Sequence, residues 1–148
     1  MPVRNEASLL PGCLKDFLSQ TLREIELIIV NDGSTDKTAA LLKEASNKDP
    51  RIRVISTKPN GIISALNTGL DECNGQYIAR MDADDRMDKT RLAKQLRLIK
   101  SNPELELIGC RTGGFTDSGR ITSSIEKYQS WSNSLISHQQ IECDLFAE

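Results

Sequence analysis

Apolar, strand-like runs that alternate with helical patterns predict an α/β fold, a mostly parallel sheet with helices on both faces. Two observations support that class. The segment Ile25-Glu26-Leu27-Ile28-Ile29-Val30 is β-branched and nearly continuous, as in a strand buried on both faces. The polar loops Asn5-Glu6, Asn31-Asp32-Gly33 and Asp82–Asp85 each follow an apolar run, and parallel sheets bind ligands at the carboxyl ends of their strands. Loops far apart in sequence are therefore expected to line one crevice.

Met1-Pro2-Val3-Arg4-Asn5-Glu6 reads as the tail of a strand entering a loop. Pro11 and Gly12 read as punctuation, after which Leu14, Phe17, Leu18 and Leu22 recur at helical spacing. The Ile25–Val30 strand stops at Asn31-Asp32-Gly33-Ser34, where glycine permits a sharp turn. Ser34, Thr35 or Asp36 then offers a cap for a helix carrying Leu41, Leu42 and Ala45, closed by Pro50. Arg51–Ile55 reads as the next strand, and Pro59-Asn60-Gly61 as a turn. Ile62, Ile63, Leu66, Leu70 and Cys73 make a helical apolar face ended by Asn74-Gly75. A strand is expected over Tyr77–Met81, a helix at Leu92, Leu96 and Ile99 stopping near Pro103, and a further strand from Leu105 to Ile108. Beyond Cys110 the chain is rich in Ser, Thr and Gly, with turns at Thr112-Gly113-Gly114 and Asp117-Ser118-Gly119. A last helix is expected over Ser134–Glu148, with Leu135, Ile136, Ile141 and Leu145 on its apolar side.

The chain has 148 residues, 38% of them hydrophobic, enough for one domain with a real core. A net charge of -2 gives no reason to expect nucleic acid as a partner. No apolar run approaches the ~20 residues a membrane span needs, and no signal peptide pattern opens the chain. Cys13, Cys73, Cys110 and Cys143 form no C-x-x-C pair, and with only His138 to join them they read as reduced thiols of a cytosolic protein.

Arg80-Met81-Asp82-Ala83-Asp84-Asp85 carries the most specific chemistry. Asp82 and Asp84, two residues apart on extended backbone, point the same way. Paired carboxylates suit a hard divalent cation, magnesium or manganese, that keeps room for substrate phosphates. The bland alternative is a solvated turn in which Asp84 or Asp85 caps the following helix. An EF-hand is excluded, because Met87 and Ala93 stand where that loop needs Gly and Glu. Neither G-x-G-x-x-G nor G-x-x-x-x-G-K-[ST] occurs, so phosphates need a grip other than a glycine cradle. Asp32 at its strand end either accepts a base N–H or braces the Asn31–Ser34 turn. Arg91, Lys94, Arg97 and Lys100 recur every three residues; they read as a solvated helix face, with attraction to anionic membrane lipids as the alternative.

Taken together, Pro2-Val3-Arg4-Asn5-Glu6, Val30-Asn31-Asp32-Gly33-Ser34-Thr35-Asp36, Gly61 through Asn67 with Gly69, and Asp82-Ala83-Asp84-Asp85 resemble family 2 of the glycosyltransferases over roughly residues 1–110. The resemblance implies the GT-A fold, a Rossmann-like sheet. It implies transfer of a sugar from a nucleoside diphosphate donor, typically UDP, to a hydroxyl of a saccharide or lipid-linked acceptor, with inversion and with a divalent cation, Mn or Mg. It places Asp32 on the donor base, Pro2, Val3 and Glu6 along the nucleoside, Asp82 at ribose or metal-bound water, and Asp84 as the main metal contact. Asn67 and Gly69 shape the donor pocket, while Leu66 stands where the family often has a basic residue. It also implies bacterial surface polysaccharide synthesis in the cytoplasm, at the inner face of the membrane.

Two departures bear on completeness. Only Met1 precedes Pro2, although the family's first strand is an apolar run lying centrally in the sheet. Asp117, Glu126, Glu142 and Asp144 match no motif for the family's catalytic base, which is therefore expected beyond Glu148. The sequence thus reads as truncated at both ends, a donor-binding core over 1–110 with an incomplete acceptor-side segment over 111–148. The rival reading is a non-catalytic nucleotide-sugar-binding module or partner subunit. A nucleotidyltransferase ranks lower, since Arg4-Asn5-Glu6-Ala7 lacks the glycines of that class.

Overall fold

A computed structural model describes residues 1–116 and 121–144. The chain divides into two compact units, Met1–Asn102 and Pro103–Glu148.

The first unit is built on a three-stranded parallel sheet in the order β1 (Pro2–Val3), β2 (Leu27–Asp32), β3 (Ile52–Thr57). Val30 lies opposite Pro2 and Ile55, so β2 is central and paired on both sides. Ile28, Ile29 and Val30 are all buried, as the unbroken apolar run requires. Both long strands end two residues later than the sequence suggests, which takes Asn31 and Asp32 into β2 rather than the loop after it.

One sheet face is covered by α1 (Leu10–Leu18) and α2 (Thr38–Lys48). Leu10, Leu14 and Phe17 of α1 meet Val3, Ile29, Leu42 and Ile52 in the core. Each such side chain, fully buried, stabilises by about 1.5–3 kcal/mol. Pro11 and Gly12 do not interrupt the chain; they lie in the first turn of α1, where a missing proline N–H costs nothing. α3 (Ile62–Asp71) lies on β1 and β2 through its small residues, and a Cβ on Gly69 would sit 3.5 Å from Val30. The apolar face expected on α3 is largely in solvent, with Ile63 at 74% exposure. Only Ala65 and Gly69 are buried, because close approach to the sheet uses small side chains and turns the large ones away. α4 (Arg91–Ser101) completes this unit.

The strand expected over Tyr77–Met81 does not form. Met1 directs both backbone groups at β2, its N donating to Ile28 O and its carbonyl accepting from Val30 N–H. By alternation Pro2 faces outward, and proline brings no N–H. The outward residue of β1 therefore offers a carbonyl and no N–H, and β1 lies at the edge of the sheet instead of its centre.

In the second unit, Leu105–Ile108 is likewise no strand, and Leu107 is 84% exposed. α5 (Ser123–Ser132) falls in the Ser- and Thr-rich stretch for which no element was expected and is N-capped by Thr122, whose Oγ1 accepts from Ile125 N–H. α6 (His138–Cys143) is shorter than the Ser134–Glu148 helix expected and opens with a capping box, Ser137 with Gln140. The Asp117-Ser118-Gly119 turn and Leu145 lie outside the described residues. Among the described residues no helix is long and apolar enough to cross a membrane.

Several carboxylates that tie turns are held below their ordinary range. Asp49 falls to about 2, chiefly through its hydrogen bond with the Arg51 side chain, and Asp16 is lowered chiefly by Arg86. Such groups contribute stability that is complete above the unfolded carboxylate value and is lost as pH falls through the folded one. The melting temperature should therefore fall steeply between pH 4 and about 2. Asp49→Asn should flatten the low-pH end of that profile; an unchanged profile would disprove this coupling.

Candidate functional site

The loops at the carboxyl ends of β1 and β2 are laced to each other. Asn5 adopts a left-handed backbone, φ 56°, which asparagine tolerates better than most residues. Its N–H donates to Ser34 Oγ at 3.1 Å and its Oδ1 accepts from Thr35 N–H at 2.8 Å. Glu6 N–H donates to Thr38 Oγ1 at 2.9 Å, and Ala7 N–H to Asp36 Oδ2 at 3.2 Å. Asp36 also accepts Thr38 N–H at 2.9 Å, so it opens α2 from just outside the helix.

Asp32, at the end of β2, is 4% exposed. It does not brace its own turn; Asn31 Oδ1 does that, accepting Ser34 N–H at 3.2 Å. Asp32 instead accepts Asn60 N–H at 2.7 Å and Gly61 N–H at 2.9 Å, pinning the loop after β3. The Asn60 bond is the main reason its carboxyl is held below the ordinary range, against the opposing pull of burial. Thr57 and the Arg4 guanidinium also act on this carboxyl, whose acceptor capacity exceeds its two backbone bonds. Gly33 has φ 65°, and a Cβ there would lie 2.7 Å from Pro59 Cδ, so the two loops meet only because residue 33 has no side chain.

In the acidic loop Met81 and Ala83 are buried at 8% and 4% exposure, while Asp82 is half-buried and Asp84 exposed. The alternation expected of a strand thus survives in a loop. Asp82 is gripped by Arg80, whose Nη2 lies 3.0 and 3.1 Å from its two oxygens. Asp85 is pushed up, first by burial and then by Asp84 and Asp82. Among the described residues no group of three or more His, Cys, Asp or Glu side chains gathers around a point. Two hard oxygen donors without soft ligands fit a magnesium or manganese ion that takes its remaining ligands from phosphate and water.

These loops enclose a cleft of about 370 Å³, within the size range of ligand sites. Pro2, Val3, Arg4 and Glu6 line it from β1 and its loop, Asp32 from β2, Gly61 and Ile62 from the start of α3, and Asp82, Ala83 and Asp84 from the acidic loop. Pro2, Val3, Glu6, Asp32, Asp82 and Asp84 are thus brought together as lining residues. Asn67 is not among them; it lies exposed on α3. Arg4 went unassigned in the sequence although it stood inside a quoted motif; its Nη1 lies 4.0 Å from Asp32 Oδ2. Ile62 stood inside the Gly61–Asn67 motif and was likewise given no role, since an apolar residue at a helix start reads as core.

The family description Glycosyl transferase family 2 matches residues 1–144. The chain belongs to that family. Among family 2 relatives, an uncharacterized glycosyltransferase of Haemophilus influenzae is 35% identical over 136 residues, 90% of this chain and 42% of that protein. A chondroitin synthase of Escherichia coli is 40% identical over 88 residues, 60% of this chain and 13% of that protein. The chain thus spans less than half the length of these relatives. Among solved structures, S. aureus TarS 1-349 in complex with UDP superposes at a TM-score of 0.65 with 22% identity, over 78% of this chain and 38% of that one, which shows the shared fold. The mannosyltransferase PcManGT of Pyrobaculum calidifontis, in complex with GDP-Man and Mn2+, superposes at 0.62 with 27% identity, over 66% of this chain and 30% of that one. The sheet and helices of this family 2 chain are accordingly those of a GT-A core.

Proposed function

We propose that this chain binds a nucleoside-diphosphate sugar and forms the donor-binding half of an inverting, metal-dependent glycosyltransferase. The observation that supports this reading is the cleft lined jointly by Asp32, the β1 residues Pro2, Val3 and Glu6, and the acidic loop. Asp32, kept ionised by two backbone N–H groups, offers its remaining lone pairs to an N–H on the base, uracil in our reading. Pro2, Val3 and Glu6 lie along the nucleoside. Asp82 reaches the ribose or an ion-bound water, and Asp84 is the principal ion contact. A magnesium or manganese ion held there would supply positive charge against the diphosphate's own charges and the further negative charge it gains as the bond to the sugar breaks. The GDP-Man and Mn2+ bound to the Pyrobaculum mannosyltransferase favour the same chemistry.

The acceptor in this reading is a saccharide or lipid-linked hydroxyl, and the chondroitin synthase relative favours polysaccharide synthesis. Lys94, Arg97 and Lys100 are exposed on α4, where anionic lipids of an inner membrane face can reach them. A second reading is a nucleotide-sugar-binding module without transfer of its own. In it, the carboxylates lining the cleft, Glu6, Asp32, Asp82 and Asp84, serve donor and ion alone.

Calorimetric titration with UDP, and with GDP in parallel, tests the reading. We expect saturable binding that is tighter in manganese than in EDTA; no binding of either nucleotide would overturn it. Release of UDP from a UDP-sugar in the presence of a hydroxyl acceptor then separates transferase from binding module.

A further inference from the structure

Residues 82–90 carry the acidic loop but form no helix or strand. Close-set like charges repel, and left to itself such a loop would spread. Its shape comes from one side of α1 and the turn that follows. Cys13 Sγ donates to Asp82 O at 3.7 Å. Asp16 accepts from Arg86 Nε at 2.6 Å, from Arg86 Nη2 at 3.0 Å and from Met87 N–H at 3.0 Å. Gln20 Nε2 donates to Asp88 O at 2.9 Å while its Oε1 accepts from Leu92 N–H at 3.3 Å. Thr21 N–H donates to Lys89 O at 2.9 Å.

Positions 13 and 16 share one stripe of α1, and Gln20 continues it from the turn just past the helix end. They meet the loop in sequence order, from residue 82 to residue 92. Cys13 and Gln20 are fully buried, and a buried amide bonded at both ends holds its partners in fixed register. Gly12 belongs to the same device. A Cβ there would lie 3.3 Å from Arg86 Nε and Nη1, so the glycine leaves a lane along which the guanidinium reaches Asp16. Neither Asp16 nor Gln20 lines the cleft.

We propose that Asp16 and Gln20 are positioning residues for the ion-binding loop, setting where Asp82 and Asp84 stand from α1 and the turn after it, neither of which lines the cleft. The proposal rests on the cleft being the donor and metal site. It predicts that breaking the clamp weakens the metal-dependent share of nucleotide binding and spares the rest. Outer-shell partners of metal ligands typically govern about 10–100-fold in metal affinity.

The test is UDP titration of the full chain, in manganese and in EDTA, for the unmodified protein, Asp16→Asn, Arg86→Gln and the double variant. Asp16→Asn and Arg86→Gln should each weaken UDP binding in manganese by about tenfold or more. Binding in EDTA should stay as in the unmodified chain, and the double variant should be no worse than either single one. Asp49→Asn, which breaks another Asp–Arg pair away from the cleft, should lower the melting temperature and leave both affinities alone. Should Asp16→Asn fail to fold, Arg86→Gln, at a half-exposed side chain, carries the same expectation. Unchanged affinity in manganese would overturn the clamp, as would equal losses with and without the ion. If the unmodified chain shows no manganese dependence, the reading of the cleft falls and the clamp with it.

Discussion

Asp84→Ala should abolish the manganese-dependent part of UDP binding while leaving the fold intact. Asp84 is exposed, and surface substitutions away from structural contacts usually stay within about 0.5 kcal/mol. Its neighbour cannot take over freely, because Asp82 is already held on both oxygens by Arg80. Loss of a direct ion contact should exceed what outer partners cost, so a drop of about a hundredfold or more in manganese is expected. Binding in EDTA, if measurable, should not change. Calorimetry at matched melting temperature checks this, and equal manganese-dependent affinity in wild type and variant would remove Asp84 from the site.

Gly33→Val should be the most damaging single change for the fold of the cleft. A branched side chain in the left-handed region costs about 1–2 kcal/mol, and forcing its Cβ against the Pro59 ring adds about 1–3 kcal/mol. The contact is severe, at 2.7 Å from Pro59 Cδ. A fall in melting temperature on the order of 10 °C follows. Nucleotide binding should suffer too, because the β3 loop must move away from Asp32. Gly61→Ala is the matched comparison. It has φ 86° but nothing within 4 Å of the added carbon, so only the backbone cost remains. Similar losses in the two variants would show that the Pro59 contact is unimportant.

The sequence made β2 and the meeting of polar loops legible because both are written in local pattern. An unbroken β-branched run has few alternatives to a central strand, and polar stops after apolar runs mark the sheet edge where ligands sit. What local pattern lacks is the partner. Tyr77–Met81 has strand composition, yet a strand is a ladder, and the outward residue of β1 is a proline. The α3 face misled in a different way: periodicity counts large apolar residues, whereas the residues touching Val30 are small. α5 was hidden by its serines, although Ile125, Tyr128 and Trp131 stand at helical spacing. In the site, Asp32 and the acidic pair were visible as motifs. Asp16 and Gln20 were not, since a polar residue on a helix or at its exit looks like surface until its partners, some 70 positions away, are known.

The bonds from Asn5, Asp36 and Asp32 join three loops, and every one of them runs between parts of the chain itself. The torsional freedom of those loops is therefore surrendered when the protein folds. Association with a small molecule is left to restrict little beyond the molecule's own tumbling and rotors, the condition under which modest contact area still gives useful affinity.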